Sequence, residues 1–164
     1  MASRPIVRSS RTETHEVVID ASDHVVGRLA SIVAKRLLQG QRITIVNAEK
    51  AIFKGNERSI KEHYLMLARR KQRTSHKKIT VWYPRRPDTL LKSSITRMLP
   101  KKKPRGRNAA KRLRVYVGVP NQYTSRELQT IEKAEFRGAT SSSGKILKRM
   151  TLGDLARDMG WTKR

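Results

Sequence analysis

Glu16 to Asn47 changes its hydrophobic period twice, and that change limits the fold more than any other feature of the chain. EVVID, Glu16 to Asp20, is a short β-branched run and reads as a strand. Val26, Leu29, Ala30, Val33 and Leu37 then share one face at helical spacing, with Arg28 and Lys35 on the opposite face. Ser22 and Asp23 are the expected caps of this helix, which should begin near Val25, run to about Gln39 and stop at Gly40. RITIVN, Arg42 to Asn47, reads as a second strand. Strand, helix and strand over so short a stretch predict a βαβ unit with parallel strands and a right-handed crossover.

The remaining elements follow less regularly. Ala51 to Phe53 reads as a short third strand closing at Gly55. A helix is expected from about Glu57 to Lys71, with Ile60, Tyr64 and Leu67 inward and Leu65 and Met66 off that face. Ile79 to Tyr83 has strand composition, cut short by Pro84 and Pro87. Asp88 or Thr89 is the expected cap of another helix, whose inner face carries Leu91, Ile95, Met98 and Leu99 and which ends at Pro100. Val115 to Val119 reads as a further strand. The organisation expected is a basic tail over residues 1–15, an α/β core over 16–123 and an appended segment over 124–164. Within the last, TSRELQTIEKAEF reads as a helix, GATSSSGK as a flexible link and TLGDLARDMGW as a final short helix docking through Leu152, Leu155 and Met159.

LPKKKPRGRNAAKRLR, Leu99 to Arg114, crowds cations without a single acid. Pro100 to Arg107 reads as a basic arm, with a helix from Asn108 onward anchored by Leu113. The whole chain agrees: 38 Lys and Arg stand against 13 Asp and Glu in 164 residues, a net charge of +25. Such an excess is an argument about partners rather than fold, and it points to a polyanion. No apolar run approaches the roughly 18–20 residues of a spanning helix, so a membrane is not the expected partner. The first residues are Ser- and Arg-rich but carry neither a secretory apolar region nor a transit-peptide period. Cysteine is absent, which excludes a disulfide framework and thiolate metal sites.

The candidate RNA-contacting cations recur on several elements. They are Arg28 and Lys35 on the first helix, Lys54 and Arg58 around Gly55, and Arg69, Arg70 and Arg73 at the end of the second helix. Arg85 and Arg86 sit between prolines, beside Trp82 and Tyr83, which are suited to stacking on unpaired bases or to core packing. Lys101, Lys102, Lys103, Arg105, Arg107, Lys111 and Arg112 complete the set. No zinc-finger, zipper or homeodomain pattern appears, and charge spread over a globular body suits a folded RNA. A nucleic-acid-packaging protein is the alternative of another class.

Catalysis finds little support. His15, His24, His63 and His76 are scattered, without metal-ligand spacing. Asp20 and Asp23 form a carboxylate pair at a strand end, where a metal-dependent nuclease would hold its ion. The structural reading is favoured: Asp23 caps the helix and Asp20 closes the strand. Gly138 to Lys145 imitates a phosphate loop, but its glycines are one residue too far apart and Ile146 stands where Ser or Thr is needed.

Two stretches carry a resemblance. IDASDHVVGRLASIVAKRLLQGQRITIVNAEKAIFKGN, with its GRLAS, LLQG and VNAE runs, resembles the amino-terminal half of the L-thirteen family of large-ribosomal-subunit proteins. MLPKKKPRGRNAAKRLRVYVGVPNQY resembles the later motif of that family, and WYPRRPD and the terminal LGDLARDMGW resemble its archaeal branch. The resemblance spans roughly Val17 to Tyr123. It implies a three-layer α/β/α fold around a mostly parallel four-stranded sheet. It also implies a non-catalytic role in the large ribosomal subunit, early in assembly and in the cytoplasm. The implied partners are large-subunit rRNA and neighbouring ribosomal proteins, with no cofactor, metal or small-molecule substrate. RNA contact is implied for Arg28 in GRLAS and for Lys101, Lys102, Lys103, Arg105 and Arg107 in the basic run.

Overall fold

Strand β1 (Glu16–Asp20) and strand β2 (Arg42–Val46) pair in parallel from Glu16 opposite Arg42 to Asp20 opposite Val46. They are joined by helix α1 (Val26–Leu38), as the change of period predicts. These are features of a computed structural model, which describes residues 16–69, 83–136 and 148–162. Val26, Leu29, Ala30, Val33, Ala34 and Leu37 of α1 are buried. Each large side chain among them contributes about 1.5–3 kcal/mol by leaving water. Gly40, at φ 103°, ends the helix in a Schellman turn: its N–H donates to Leu37 O at 3.1 Å and that of Gln41 to Arg36 O at 3.3 Å.

The start of α1 differs from expectation. Its N-cap is Val25, which offers no side-chain acceptor. Asp23 caps nothing: it sits in the left-handed region at φ 57° with an exposed side chain. Asp20 does close the strand, because its Oδ1 accepts from Ser22 N at 2.9 Å, Ser22 Oγ at 2.8 Å and Asn47 Nδ2 at 3.0 Å.

After a 3-10 turn at Ala48–Lys50 comes strand β3 (Ile52–Lys54), then helix α2 (Glu57–Arg69). Ile60, Tyr64 and also Leu65 pack partly against the core, while Met66 is exposed. Helix α3 (Pro87–Arg97) starts with Pro87 in its first turn and Arg86 as N-cap, so neither Asp88 nor Thr89 is the cap. Proline there loses no bond, since the first amides of a helix have no partner within it. Leu90, Leu91, Ile95 and Leu99 are buried, whereas Met98 faces solvent.

Helix α4 (Pro104–Lys111) begins four residues earlier than the sequence suggests, so Pro104 to Arg107 is helix and not arm. Strand β4 (Leu113–Val115) is likewise displaced from the expected Val115–Val119 and pairs in parallel with β2. The parallel sheet, in the order β1-β2-β4, therefore holds three strands among the described residues and not four. The place beside β1 is taken by a bridge from Ile19 to Gln129. Of the expected strand Ile79 to Tyr83, only Tyr83 lies within the described residues, and it is in no strand.

Beyond the short helix α5 (Asn121–Thr124) the expected long helix is absent, and only a 3-10 turn at Glu132–Ala134 forms. Strand β5 (Arg149–Thr151) pairs antiparallel with β3, and helix α6 (Leu152–Asp158) follows. The described parts of this region belong to the main core. Ile131, Ala134, Met150, Leu152, Leu155 and Met159 are buried with the side chains of α1 and α3. His24, fully buried, fastens the region: its Nδ1 bonds Ser22 O at 2.6 Å, so its Nε2 accepts from Ile131 N at 3.0 Å. The GATSSSGK stretch lies outside the described residues.

Candidate nucleic-acid interface

Alternation along the strands separates core from charge. In β2, Ile43 and Ile45 point into the core, and Leu113 does so in β4. Arg42, Thr44 and Arg114 therefore share the other face with Glu16, which stands opposite Arg42 in β1. In a parallel sheet all amino ends lie at one edge. Here that edge opens into a cleft of about 740 Å³ lined by Glu16, Arg42, Lys111, Arg112, Arg114, Gln122, Tyr123 and Arg126. Five cations face one carboxylate.

That carboxylate is fully engaged. Glu16 accepts from Thr44 Oγ1 at 2.7 Å, Tyr123 Oη at 3.0 Å and Arg126 Nη1 at 2.9 Å. The Thr44 hydrogen bond, reinforced by Tyr123 and Arg126, outweighs partial burial and holds Glu16 below the usual carboxylate range. Arg126 also lies 5.3 Å from the Tyr123 ring centre, a cation–π distance. Arg112 Nη2 donates to Leu37 O at 2.7 Å, at the carboxyl end of α1, and its Nε is buried with no acceptor among the described residues.

Of the cations expected from sequence, this cleft brings together only Lys111 and Arg112. Arg28 and Lys35 project from the exposed face of α1, Lys54 ends β3, and Arg69 ends the described part of α2. Arg58 pairs with Glu62 at 2.9 Å and Arg86 with Asp88 at 3.1 Å, both on the surface. Such pairs contribute about 1 kcal/mol or less. Arg85 is exposed, and Tyr83 lines a small crevice with His63, Tyr64 and Leu67. Arg70, Arg73 and Trp82 lie outside the described residues. Lys101, Lys102 and Lys103 form an exposed turn between α3 and α4, and Arg105 and Arg107 continue it on the first turn of α4. Gly106, between them, is buried against the Pro100 backbone, which closes the turn on itself.

Sequence reasoning missed Arg42, Arg114 and Arg126. The first two carry a readable signal, since RITI and LRV alternate cation or polar residue with core aliphatic. Arg126 has none, because its partner Glu16 is 110 residues away.

The carboxylates do not make a nuclease centre. Asp20 is pushed up by burial, but the bonds from Ser22 and Asn47 and the nearby Lys50 outweigh this and hold it low. Among the described residues, no group of three His, Cys, Asp or Glu is placed to hold a metal ion. Nor is any described helix long and apolar enough to cross a membrane.

Comparison with known proteins agrees with the motifs. The family described as Ribosomal protein L13 matches residues 14–122. The large ribosomal subunit protein uL13 of Aeropyrum pernix is 43% identical over 153 residues, covering 91% of this chain and 92% of that protein. Its namesake from Methanopyrus kandleri is 44% identical over 144 residues, covering 88% and 86%. That from Methanococcoides burtonii is 41% identical over 143 residues, covering 87% and 96%. Motifs and similarity over most of the chain converge: the chain belongs to the ribosomal protein L13 family, a family of structural ribosomal proteins and not of enzymes.

Proposed function

We propose that the protein is a structural component of the large ribosomal subunit that binds large-subunit rRNA through its phosphate backbone. It joins early in assembly, acts in the cytoplasm and touches neighbouring ribosomal proteins. The observation that carries this reading is the exposed run Lys101, Lys102, Lys103, Arg105 and Arg107, which has no ion-pair partner among the described residues. Arg28, Lys35, Lys54, Arg58, Arg69, Arg85 and Arg86 add phosphate contacts from other elements, and Arg70 and Arg73 belong to the same proposal. The three-layer arrangement with a fourth strand is part of it too.

The test is the salt dependence of binding to archaeal large-subunit rRNA. About ten phosphate contacts give a log–log slope of roughly −7 to −9. A slope shallower than about −3 overturns the phosphate-dominated reading. Early entry is tested by adding the protein at successive stages of subunit reconstitution, and equal incorporation at every stage overturns it.

A further inference from the structure

We propose that the cleft at the amino edge of the sheet is a discrete capture site for one phosphodiester of the bound RNA, held by Arg42, Arg114 and Arg126. This rests on the RNA-binding reading above and assigns it a particular place. The site is distinct from the turn at Lys101–Lys103, which the sequence alone brings forward.

Four features support the assignment. Arg42 and Arg114 stand on the sheet face opposite α1 and make no ion pair among the described residues. Rigid strands hold them, so little backbone order is lost on binding. Arg126 is held by Glu16 and lies against Tyr123. Its guanidinium is thus fixed before the ligand arrives, and fewer rotamers are frozen when it binds. Glu16 carries a negative charge, but Arg126 Nη1 pairs with it at 2.9 Å and the other four cations of the cleft remain in excess. Arg112 holds an unpartnered buried Nε at the same cleft. The bond from its Nη2 to Leu37 O at 2.7 Å fixes the guanidinium, which adds positive charge to the cleft wall. Arginine suits the role because its planar fork takes two oxygens of one phosphate.

The experiment uses the full-length protein and in-vitro-transcribed archaeal large-subunit rRNA carrying random phosphorothioates. Iodine cleavage then reports which phosphates are shielded. The wild type should shield a set of positions. The double variant Arg42→Gln, Arg114→Gln should lose one or two adjacent positions and keep the others, with roughly tenfold weaker binding and a salt slope shallower by about one. Lys101→Gln, Lys102→Gln, Lys103→Gln should lose different positions. Lys133→Gln, Lys148→Gln, which removes two exposed cations outside the cleft, sets the background. If the cleft variant shields every wild-type position and binds like the background control, the capture site is refuted while the RNA-binding reading stands. If the wild type shields no position, the RNA-binding reading itself fails. Capture of a twenty-residue polyglutamate peptide, lost in the cleft variant whose RNA shielding is intact, would make the cleft a protein-docking site and refute the proposal. Should the glutamine pair fail to fold, Arg42→Lys, Arg114→Lys keeps the charge without the fork, and it should lose the same shielded positions with a smaller loss of affinity.

Discussion

Replacing Gly106 by alanine should destabilise the protein far more than one methyl group suggests. Gly106 lies in the first turn of α4, where alanine would ordinarily gain about 1 kcal/mol over glycine. Here a Cβ would fall on the Pro100 carbonyl oxygen and only 2.6 Å from its carbon. The obstacle is backbone and has no rotamer to move aside. Overpacking of this kind costs about 1–3 kcal/mol and sometimes more. Moving Pro100 also disturbs the bond from Lys103 N to Pro100 O, 3.1 Å long, a loss of about 1 kcal/mol. After the helix gain is subtracted, the net expectation is a loss of about 1–3 kcal/mol, or about 2–12 °C in Tm for a domain of this size. Circular-dichroism melting of the free protein measures it. Gly27→Ala is the control. Gly27 is exposed in α1, and a Cβ there meets nothing within 4 Å, so Tm should rise by a few degrees at most. A Gly106→Ala protein melting within about 2 °C of wild type would refute the close packing of α4 on Pro100.

His24→Ala should cost about 3–5 kcal/mol in urea unfolding, since it leaves the buried Ile131 N–H bare and opens a cavity; a loss below about 1 kcal/mol would mean that other contacts hold the 124–136 segment. Thr151→Ala should lose about 0.5–2 kcal/mol, because Thr151 Oγ1 accepts from Asp154 N at 3.1 Å and caps α6; an unchanged melt would remove that cap from the account. Asp23→Gly should be neutral or stabilising by up to about 1 kcal/mol, since it relieves a left-handed residue that caps nothing, and a clear loss of stability would restore the capping role. Glu16 and Asp20 both sit below their ordinary values of 4.5 and 3.8 in the folded state. Their stabilisation is therefore complete above those values and is lost as pH falls through the lower folded ones. Tm should fall steeply as the medium is acidified below about pH 4.5, and Glu16→Gln should flatten part of that fall; an identical acid profile in the variant would show that Glu16 contributes nothing to it.

What the sequence reveals and what it hides divides by chain separation. The β1–α1–β2 unit is legible because Val26 to Leu37 and RITIV declare their periods within a few residues, and Gly40 marks the stop locally. Misreadings arise where distant partners decide. VYVGV looks like a strand by composition, yet LRV is the segment whose alternation matches β2, and the chain leaves the sheet after Val115. TSRELQTIEKAEF has helical composition, but Gln129 exchanges backbone bonds with Val18 and Asp20, and Ile131 bonds His24 from 107 residues away. Tertiary hydrogen bonds of this kind override a propensity worth a few tenths of a kcal/mol per residue. The exposed cations of the Lys101–Arg107 run were legible as charge, but the cleft was not, since it needs three strand ends and Arg126 to meet.

Net charge alone does not show what the acids do, because several of them pin loops. Glu16 ties β1 to Thr44, Tyr123 and Arg126. Asp20 holds the turn at Ser22 and reaches Asn47. Glu49 accepts from the Gly118 N–H at 3.0 Å and anchors the loop after β4. Asp154 bonds Thr151 Oγ1 at the start of α6. These carboxylates serve as acceptors that pin loops, and they are only secondarily counter-ions. The cations divide otherwise. Among the described residues, Arg112 alone of the expected contacts donates to a distant main-chain carbonyl, while the Lys101–Arg107 run projects into solvent. These four acids thus serve internal geometry, Glu57, Glu62, Asp88 and Asp158 pair with surface cations, and the Lys101–Arg107 run is left to an external polyanion. For that reason a neutralised acid should not act like an added lysine: the extra positive charge would come with a loosened loop, and the loosened loops at Glu16 and Asp20 are those that shape the two ends of the sheet.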